Sequence, residues 1–194
     1  MSSSSSVLDT GTGGGERFLQ LQDDWRDRVV VTEEYPPNIH LATERLAPLG
    51  VSVVDVRLTM CDPIPSANEA FTLILNQHLA FNPAKVASML APGGTFLTQQ
   101  VHGLWAQNLL AIFDAQPQWP FATAAYCAPR IEDAGLTIQA AREWSGNLTF
   151  EDVGAIVYYL RASPWLVRSF SMELHLERLL ESQRGLDCSL KLAF

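Results

Sequence analysis

The chain has 194 residues, 47% of them hydrophobic and 18% charged, which suits one globular domain able to bury roughly 70% of its unfolded surface. Its net charge is −8 and its only lysines are Lys85 and Lys191, so a large phosphate-binding footprint is disfavoured and nucleic acid is not the expected partner. Cys61, Cys127 and Cys188 are odd in number and far apart, which excludes a disulfide framework and fits a reducing, cytoplasmic setting. No histidine pair has metal-ligand spacing, so no metal is expected. No apolar run reaches about 18 residues, and the opening MSSSSS lacks the basic and apolar regions of a secretory signal.

Residues 1–6 read as a disordered tail. SVLDT then reads as a short buried strand. GERFLQLQDDW follows as a helix with Phe18, Leu21 and Trp25 on one face. The β-branched run Val29–Val31 marks a second strand. PPNIHLATERLAPLG is a helix that prolines open and Gly50 closes. VSVVDV and AFTLILN are a third and fourth strand. NPAKVASMLAPGG is a short helix stopped by Pro92, Gly93 and Gly94, and TFLTQQV is a fifth strand. Alternation of helices with largely apolar strands predicts an α/β fold with a doubly wound parallel sheet covered on both faces.

Beyond Val101 the pattern loosens. LWAQNLLAIFDA and APRIEDAG read as helices, LTIQAAREWSG as a strand, and EDVGAIVYYLRAS and MELHLERLLESQ as helices. DCSLKLAF alternates like a final strand. The absence of repeats and internal linkers predicts a single domain over 1–194.

The chemistry concentrates at the first strand–helix turn, where four glycines fall within residues 11–15. In a doubly wound sheet that turn lies at the topological switch point, where ligands bind outside the carboxyl ends of the strands. Glycines allow the backbone to approach a ligand closely. A dinucleotide fingerprint would need glycine where Glu16 stands, which counts against a nicotinamide enzyme. The pattern present is Asp9-x-Gly11-x-Gly13-x-Gly15, with an acidic residue at the strand end that favours a cationic or hydroxyl-bearing ligand.

VLDTGTGGG resembles motif I of the class I S-adenosylmethionine-dependent methyltransferases. The resemblance implies a Rossmann-like, mostly parallel sheet of the seven-stranded type with helices on both faces. It places Asp9, Gly11, Thr12, Gly13 and Gly15 against the methionine and ribose parts of the cofactor. The second strand ends VVVTEEYPPN, where the family carries an acidic residue for the ribose hydroxyls. Glu33 aligns with it, with Glu34 as the fallback, and Tyr35 falls near the adenine edge. EAFTLILNQHLAFNPAKVASMLAPGG is similar to the family's fourth strand, helix and PGG turn, and puts Asn76 and His78 at the carboxyl end of strand four. The matching part covers residues 5–101. Residues 7–101 are thus expected to be the cofactor-binding half and 102–194 the substrate side.

Several departures qualify the match. The helices that usually precede the first strand and cover the cofactor have no counterpart before Val7 in this sequence, so either the chain is truncated or a homodimer or partner subunit is expected to supply a lid. Thr72 replaces the aspartate common in strand four. Asp55 and Asp62 compete for the acidic position after strand three. The bland alternatives are a helix cap for Asp9, a solvated strand end for Glu33 and a structural histidine at His78. His78 is the candidate general base and His102 its rival, while His40 and His175 read as ordinary helix residues. Trp144, Tyr158, Tyr159 and Trp165 read as core, or as the wall of an acceptor pocket. The expected function is methyl transfer from S-adenosylmethionine to a small-molecule acceptor. The alternative is a methyltransferase-like partner subunit, or a recruited enzyme, that no longer methylates.

Overall fold

The computed structural model describes residues 6–25, 27–56, 69–185 and 191–193. Residues 1–5 of the expected tail, Cys61, Asp62 and Cys188 lie outside the described residues. Ser6, expected in that tail, is instead the buried first residue of a strand, its Oγ donating to the Ala70 carbonyl at 2.7 Å. The chain groups into two compact units, Met1–Gln100 with Arg130–Thr137, and Val101–Pro129 with Ile138–Phe194.

The first unit is built on a five-stranded sheet. Its strands are β1 (Ser6–Thr10), β2 (Arg28–Glu33), β3 (Ser52–Asp55), β4 (Phe71–Gln77) and β5 (Leu90–Gln99). Their order is β3-β2-β1-β4-β5 and every pairing is parallel. The chain winds outward from β1 to β3, then returns to the other side of β1 for β4 and β5. The switch point therefore falls between β1 and β4.

Period-2 alternation distributes the strand side chains to two faces. Val7, Val29 and Val31 face a core that includes Phe18 of α1 (Glu16–Leu19) and Ala42 and Leu46 of α2 (Pro36–Leu46). Leu8, Val30 and Ile74 face the opposite core, with Val86 and Met89 of α3 (Pro83–Met89). Helices thus cover both faces. Fully buried side chains such as Leu8, Leu46 and Ile74 each contribute about 1.5–3 kcal/mol.

Local structure departs from the sequence pattern at several points. The helix after the glycines is a single turn, α1, followed by a 3-10 turn over Gln22–Asp24. Asp23 and Asp24 are weak helix formers, and Trp25 folds back to stack on Phe18 with ring centroids 5.1 Å apart, leaving Leu21 exposed. The PGG stretch does not merely stop α3, because it lies inside β5. Leu90 pairs with Phe71, and pairing then resumes between Thr95 and Leu73, so residues 91–94 form a bulge with Gly93 at φ 76°. Gly94 lets that bulge close on the Phe71 carbonyl, which an added Cβ would meet at 2.9 Å.

The second unit contains α4 (Gln107–Ile112), β6 (Asn147–Thr149), α6 (Val153–Ala162), α7 (Leu176–Gly185) and β7 (Lys191–Ala193). The helix α5 (Ala124–Asp133) begins four residues earlier than its sequence suggests and carries Pro129 internally. Leu109, Leu110, Phe113, Ile156, Leu160 and Leu179 form the core of this unit. The stretch 136–146 is irregular rather than a strand. Its side chains are all at least partly exposed and among the described residues it pairs with no strand, so its alternation has no face to bury. Of the seven described strands, five make the sheet, and β6 and β7 pair only with each other, antiparallel. Among the described residues no helix is long and apolar enough to cross a membrane.

Candidate functional site

The glycine loop runs from the carboxyl end of β1 over the end of β2. The Thr32 carbonyl accepts hydrogen bonds from the N–H groups of Gly11 and Thr12, both at 3.0 Å. Gly11, Gly13 and Gly15 have φ of 70°, 62° and 83°, the left-handed region that disfavours other residues. The three differ in what surrounds them. A Cβ at Gly11 would meet Leu79 at 3.1 Å and one at Gly15 would meet Leu46 at 2.9 Å, so both are held by packing. A Cβ at Gly13 would meet nothing within 4 Å. Gly13 therefore presents bare backbone to open space beside the strand ends.

Glu33 ends β2 and is only 7% exposed. Its Oε2 accepts the Gly13 N–H at 2.7 Å, and its Oε1 accepts the N–H groups of Glu34 at 2.8 Å and Tyr35 at 3.0 Å. A carboxylate offers about four lone-pair directions, so one remains free on Oε2. Glu34 is exposed, and Tyr35 stands 59% exposed at the start of α2, next to the bound carboxylate. Asp55 ends β3 directly opposite Glu33 in register.

Asp9 lies on the same end of β1. Burial pushes its carboxyl up to about 6, and the Glu33 charge adds to the rise. The Thr12 hydroxyl opposes it without reaching hydrogen-bond geometry to any described atom. Glu16, which argued against a pyrophosphate, pairs with Arg45 of α2, whose guanidinium also donates to the Gly14 carbonyl at 2.5 Å. Sequence reasoning missed Arg45, Leu79 and Thr32. Each reaches the loop from a different element, and no local spacing signals that.

Asn76 is 4% exposed and is bound into a network that crosses three strands. Its Nδ2 donates to Thr10 Oγ1 at 2.8 Å, and its Oδ1 accepts from Thr98 Oγ1 at 2.9 Å and Gln100 Nε2 at 2.6 Å. It fastens the strand ends together rather than presenting a free amide.

His78 follows β4 with φ 60°, and its N–H donates to the Gln99 carbonyl at 2.9 Å. Burial, and then the Arg17 charge, lower its pKa, so the imidazole is neutral at pH 7. His102 accepts the Leu104 N–H through Nδ1 at 3.1 Å. His40 pairs with Glu44, and His175 packs against Phe113 and Phe170. Tyr159 joins the core of the second unit against Trp105 and Phe150, whereas Trp144, Tyr158 and Trp165 are exposed. A cleft of about 460 Å³ lies by Glu69, Pro92 and Gly94, where β4 and β5 begin, and so away from the glycine loop.

Structural comparison places this architecture. The YcgJ protein of Bacillus subtilis superposes over 99% of this chain and 88% of its own, with a TM-score of 0.63 at 14% identity. A SAM-dependent methyltransferase of Aquifex aeolicus superposes over 71% of this chain and 75% of its own, with a TM-score of 0.55 at 19% identity. A Bacillus halodurans protein described as a methyltransferase gives 0.59 over 89% of this chain and 75% of its own, at 18% identity. The chain has the class I methyltransferase fold. No family model and no curated protein matches the sequence. Within the methyltransferase fold, the Gly13 loop, Asp9 and Glu33 gather at the switch-point end of the sheet, while Asn76 braces that end from within.

Proposed function

We propose that this chain binds S-adenosylmethionine on the Gly13 loop and transfers its methyl group to a small-molecule acceptor. The observation that carries the reading is the open space at Gly13, next to a buried carboxylate and a neighbouring exposed tyrosine. The donor set suits that cofactor. The free lone pair of Glu33 Oε2, together with the one released if the Gly13 N–H turns away, accepts the two ribose hydroxyls. Asp9, once ionised, pairs with the amino-acid ammonium. Tyr35 offers an aromatic surface to the adenine.

When bound, the cofactor supplies a methyl group on a sulfonium already activated toward an O, N or C nucleophile. The work left to the protein is orientation and exclusion of water. The Asn76 network holds the ends of β1, β4 and β5 in register, and Leu79 fixes the loop at Gly11. His78, neutral at pH 7, is the residue suited to take a proton from the nucleophile.

Glu33 favours a second reading. Its carboxylate is already satisfied by three backbone N–H groups, as expected of a structural latch in a protein that no longer methylates. Calorimetric titration with S-adenosylmethionine and S-adenosylhomocysteine separates the two. Micromolar binding of both supports the first. Absence of heat with either one, in protein shown to be folded, gives the second reading the lead.

A further inference from the structure

Four glycines in residues 11–15 give the loop after β1 a wide choice of backbone conformations, so its shape depends on what ties it down. The Thr32 carbonyl holds the N–H groups of Gly11 and Thr12, the Glu33 carboxylate holds that of Gly13, and the Thr12 carbonyl accepts from Gly15 at 3.2 Å. A further tie comes from α2. Arg45 Nη1 donates to the Gly14 carbonyl at 2.5 Å and also to the Glu16 carboxylate.

Gly14 differs from its neighbours. Gly11, Gly13 and Gly15 need glycine for their left-handed backbone, a conformation that Gly14 does not share. The place of its missing side chain is instead taken. A Cβ there would stand 2.6 Å from Arg45 Nη1 and 2.8 Å from each carboxylate oxygen of Glu16. Glycine at 14 is thus matched to the arginine, because a methyl group would push the guanidinium off the carbonyl. The next residue of α2, the fully buried Leu46, packs where a Cβ of Gly15 would come within 2.9 Å. Two successive residues of α2 therefore hold two successive residues of the loop.

The peptide between Gly14 and Gly15 is the weak point of the loop. With glycine on both sides it can turn over at little steric cost. Turning over would break the Gly15 bond to Thr12 and swing the Gly14 carbonyl away from α2. Arg45 opposes this with a charge-assisted bond to a buried residue, where water competes least. The side chains of Arg45 and Glu16 are 36% and 59% exposed, so their ion pair adds little stability and serves to aim the guanidinium. We propose that Arg45 is the positioning residue of the glycine loop, holding the Gly14 carbonyl toward α2 so that Gly13 stays on Glu33 with open space beside it. Its effect on ligand affinity rests on the reading of this loop as the S-adenosylmethionine site, whereas its effect on the loop does not.

The test uses the full-length chain with Arg45→Ala, Arg45→Lys, Gly14→Ala and the double variant Gly14→Ala/Arg45→Ala. Calorimetry gives the affinity for S-adenosylhomocysteine, and NMR amide exchange reports opening at Gly13 and Gly15. Expected in Arg45→Ala is exchange about tenfold faster at both amides and affinity about tenfold weaker, because the competent loop is less populated. Arg45→Lys should recover most of both, since an ammonium still donates to the carbonyl. Gly14→Ala should match Arg45→Ala, and the double variant should be no worse than either, because all three remove the same contact. Losses that add in the double variant, or wild-type exchange or wild-type affinity in Arg45→Ala, overturn the proposal. A wild-type chain that does not bind S-adenosylhomocysteine sinks the cofactor reading, and exchange at Gly13 and Gly15 then decides the role of Arg45. Should Arg45→Ala fail to fold, Gly14→Ala decides: faster exchange than wild type at both amides supports the proposal, and unchanged exchange overturns it.

Discussion

The backbone N–H of Gly13 donates to Glu33 Oε2 at 2.7 Å, tying the loop after β1 to the end of β2. These two residues were separately expected to touch the cofactor, and they touch each other. The bond gives Glu33 two roles that pull in different directions. It preorganises the glycine loop, and under the proposed function it occupies part of the carboxylate that the ribose would need. Ligand entry therefore exchanges one hydrogen bond for others rather than adding to a bare carboxylate, which reduces the net gain from this residue.

Glu33→Ala is expected to weaken binding of S-adenosylhomocysteine by roughly 1–3 kcal/mol, the scale of charge-assisted hydrogen bonds. It should also lower the thermal midpoint, because the N–H groups of Gly13, Glu34 and Tyr35 lose their acceptor. Calorimetry and a melt on the same preparation check both. A lower midpoint with unchanged affinity would move the ribose contact to Glu34 or Asp55.

Gly13→Val is expected to abolish cofactor binding while the sheet stays folded. The side chain enters the open space, and the left-handed backbone costs about 1–2 kcal/mol more than at a permissive position. Gly13→Ala should be milder in both respects. Circular dichroism shows whether the sheet survives, and titration gives the affinity. Wild-type affinity in Gly13→Val would remove the loop from the site.

Much of this was legible because the signals are local. The apolar β-branched run Val29–Val31 and the pair Val53–Val54 lie in strands, and the glycine spacing marks the turn at the switch point. What stayed hidden depends on register. Asn76 meets Thr98 and Gln100 only because β4 and β5 pair Asn76 with Thr98, and Leu79 meets Gly11 only after β4 lies beside β1. The alternation in 136–146 misled for the complementary reason: a strand pattern needs a neighbour to bond to, and that segment has none among the described residues.

Asn76→Ala is expected to destabilise the protein by about 1–3 kcal/mol. It removes the donor to buried Thr10 and the acceptor of half-buried Thr98, which lose their partner, while exposed Gln100 can turn to water. Urea unfolding measures the loss. A cost near zero would show that water replaces the amide and that the network is not a brace.

Asp9 predicts a pH dependence with a definite sign. Its carboxyl rises from 3.8 unfolded to about 6 folded, so between these values the folded state holds the extra proton. Its contribution to stability is therefore fully present below about 3.8 and is lost as pH rises through 6. Asp9→Asn should flatten that decline and stabilise the protein at pH 7 by up to about 2–3 kcal/mol. Binding of a cationic ligand favours the ionised form, so affinity for S-adenosylmethionine should rise with pH through about 6 in the wild type and not in Asp9→Asn. Melting and calorimetry at several pH values check the two signs, and an affinity that ignores pH in the wild type would take the ammonium away from Asp9.

His78 combines strain with possible chemistry, and one substitution separates them. Its φ of 60° is costly for histidine and free for glycine, so His78→Gly is expected to raise stability by about 0.5–1 kcal/mol. Burial and Arg17 lower its pKa from 6.5, so the unfolded chain binds more protons just below that value. Stability should consequently climb as pH rises toward 6.5, and the climb should vanish in His78→Gly. If the imidazole is the base, the variant loses about 10²–10⁴-fold in turnover while keeping its affinity for S-adenosylhomocysteine. A variant that is more stable and equally active assigns His78 to the turn alone and leaves proton removal to the acceptor's own acidity.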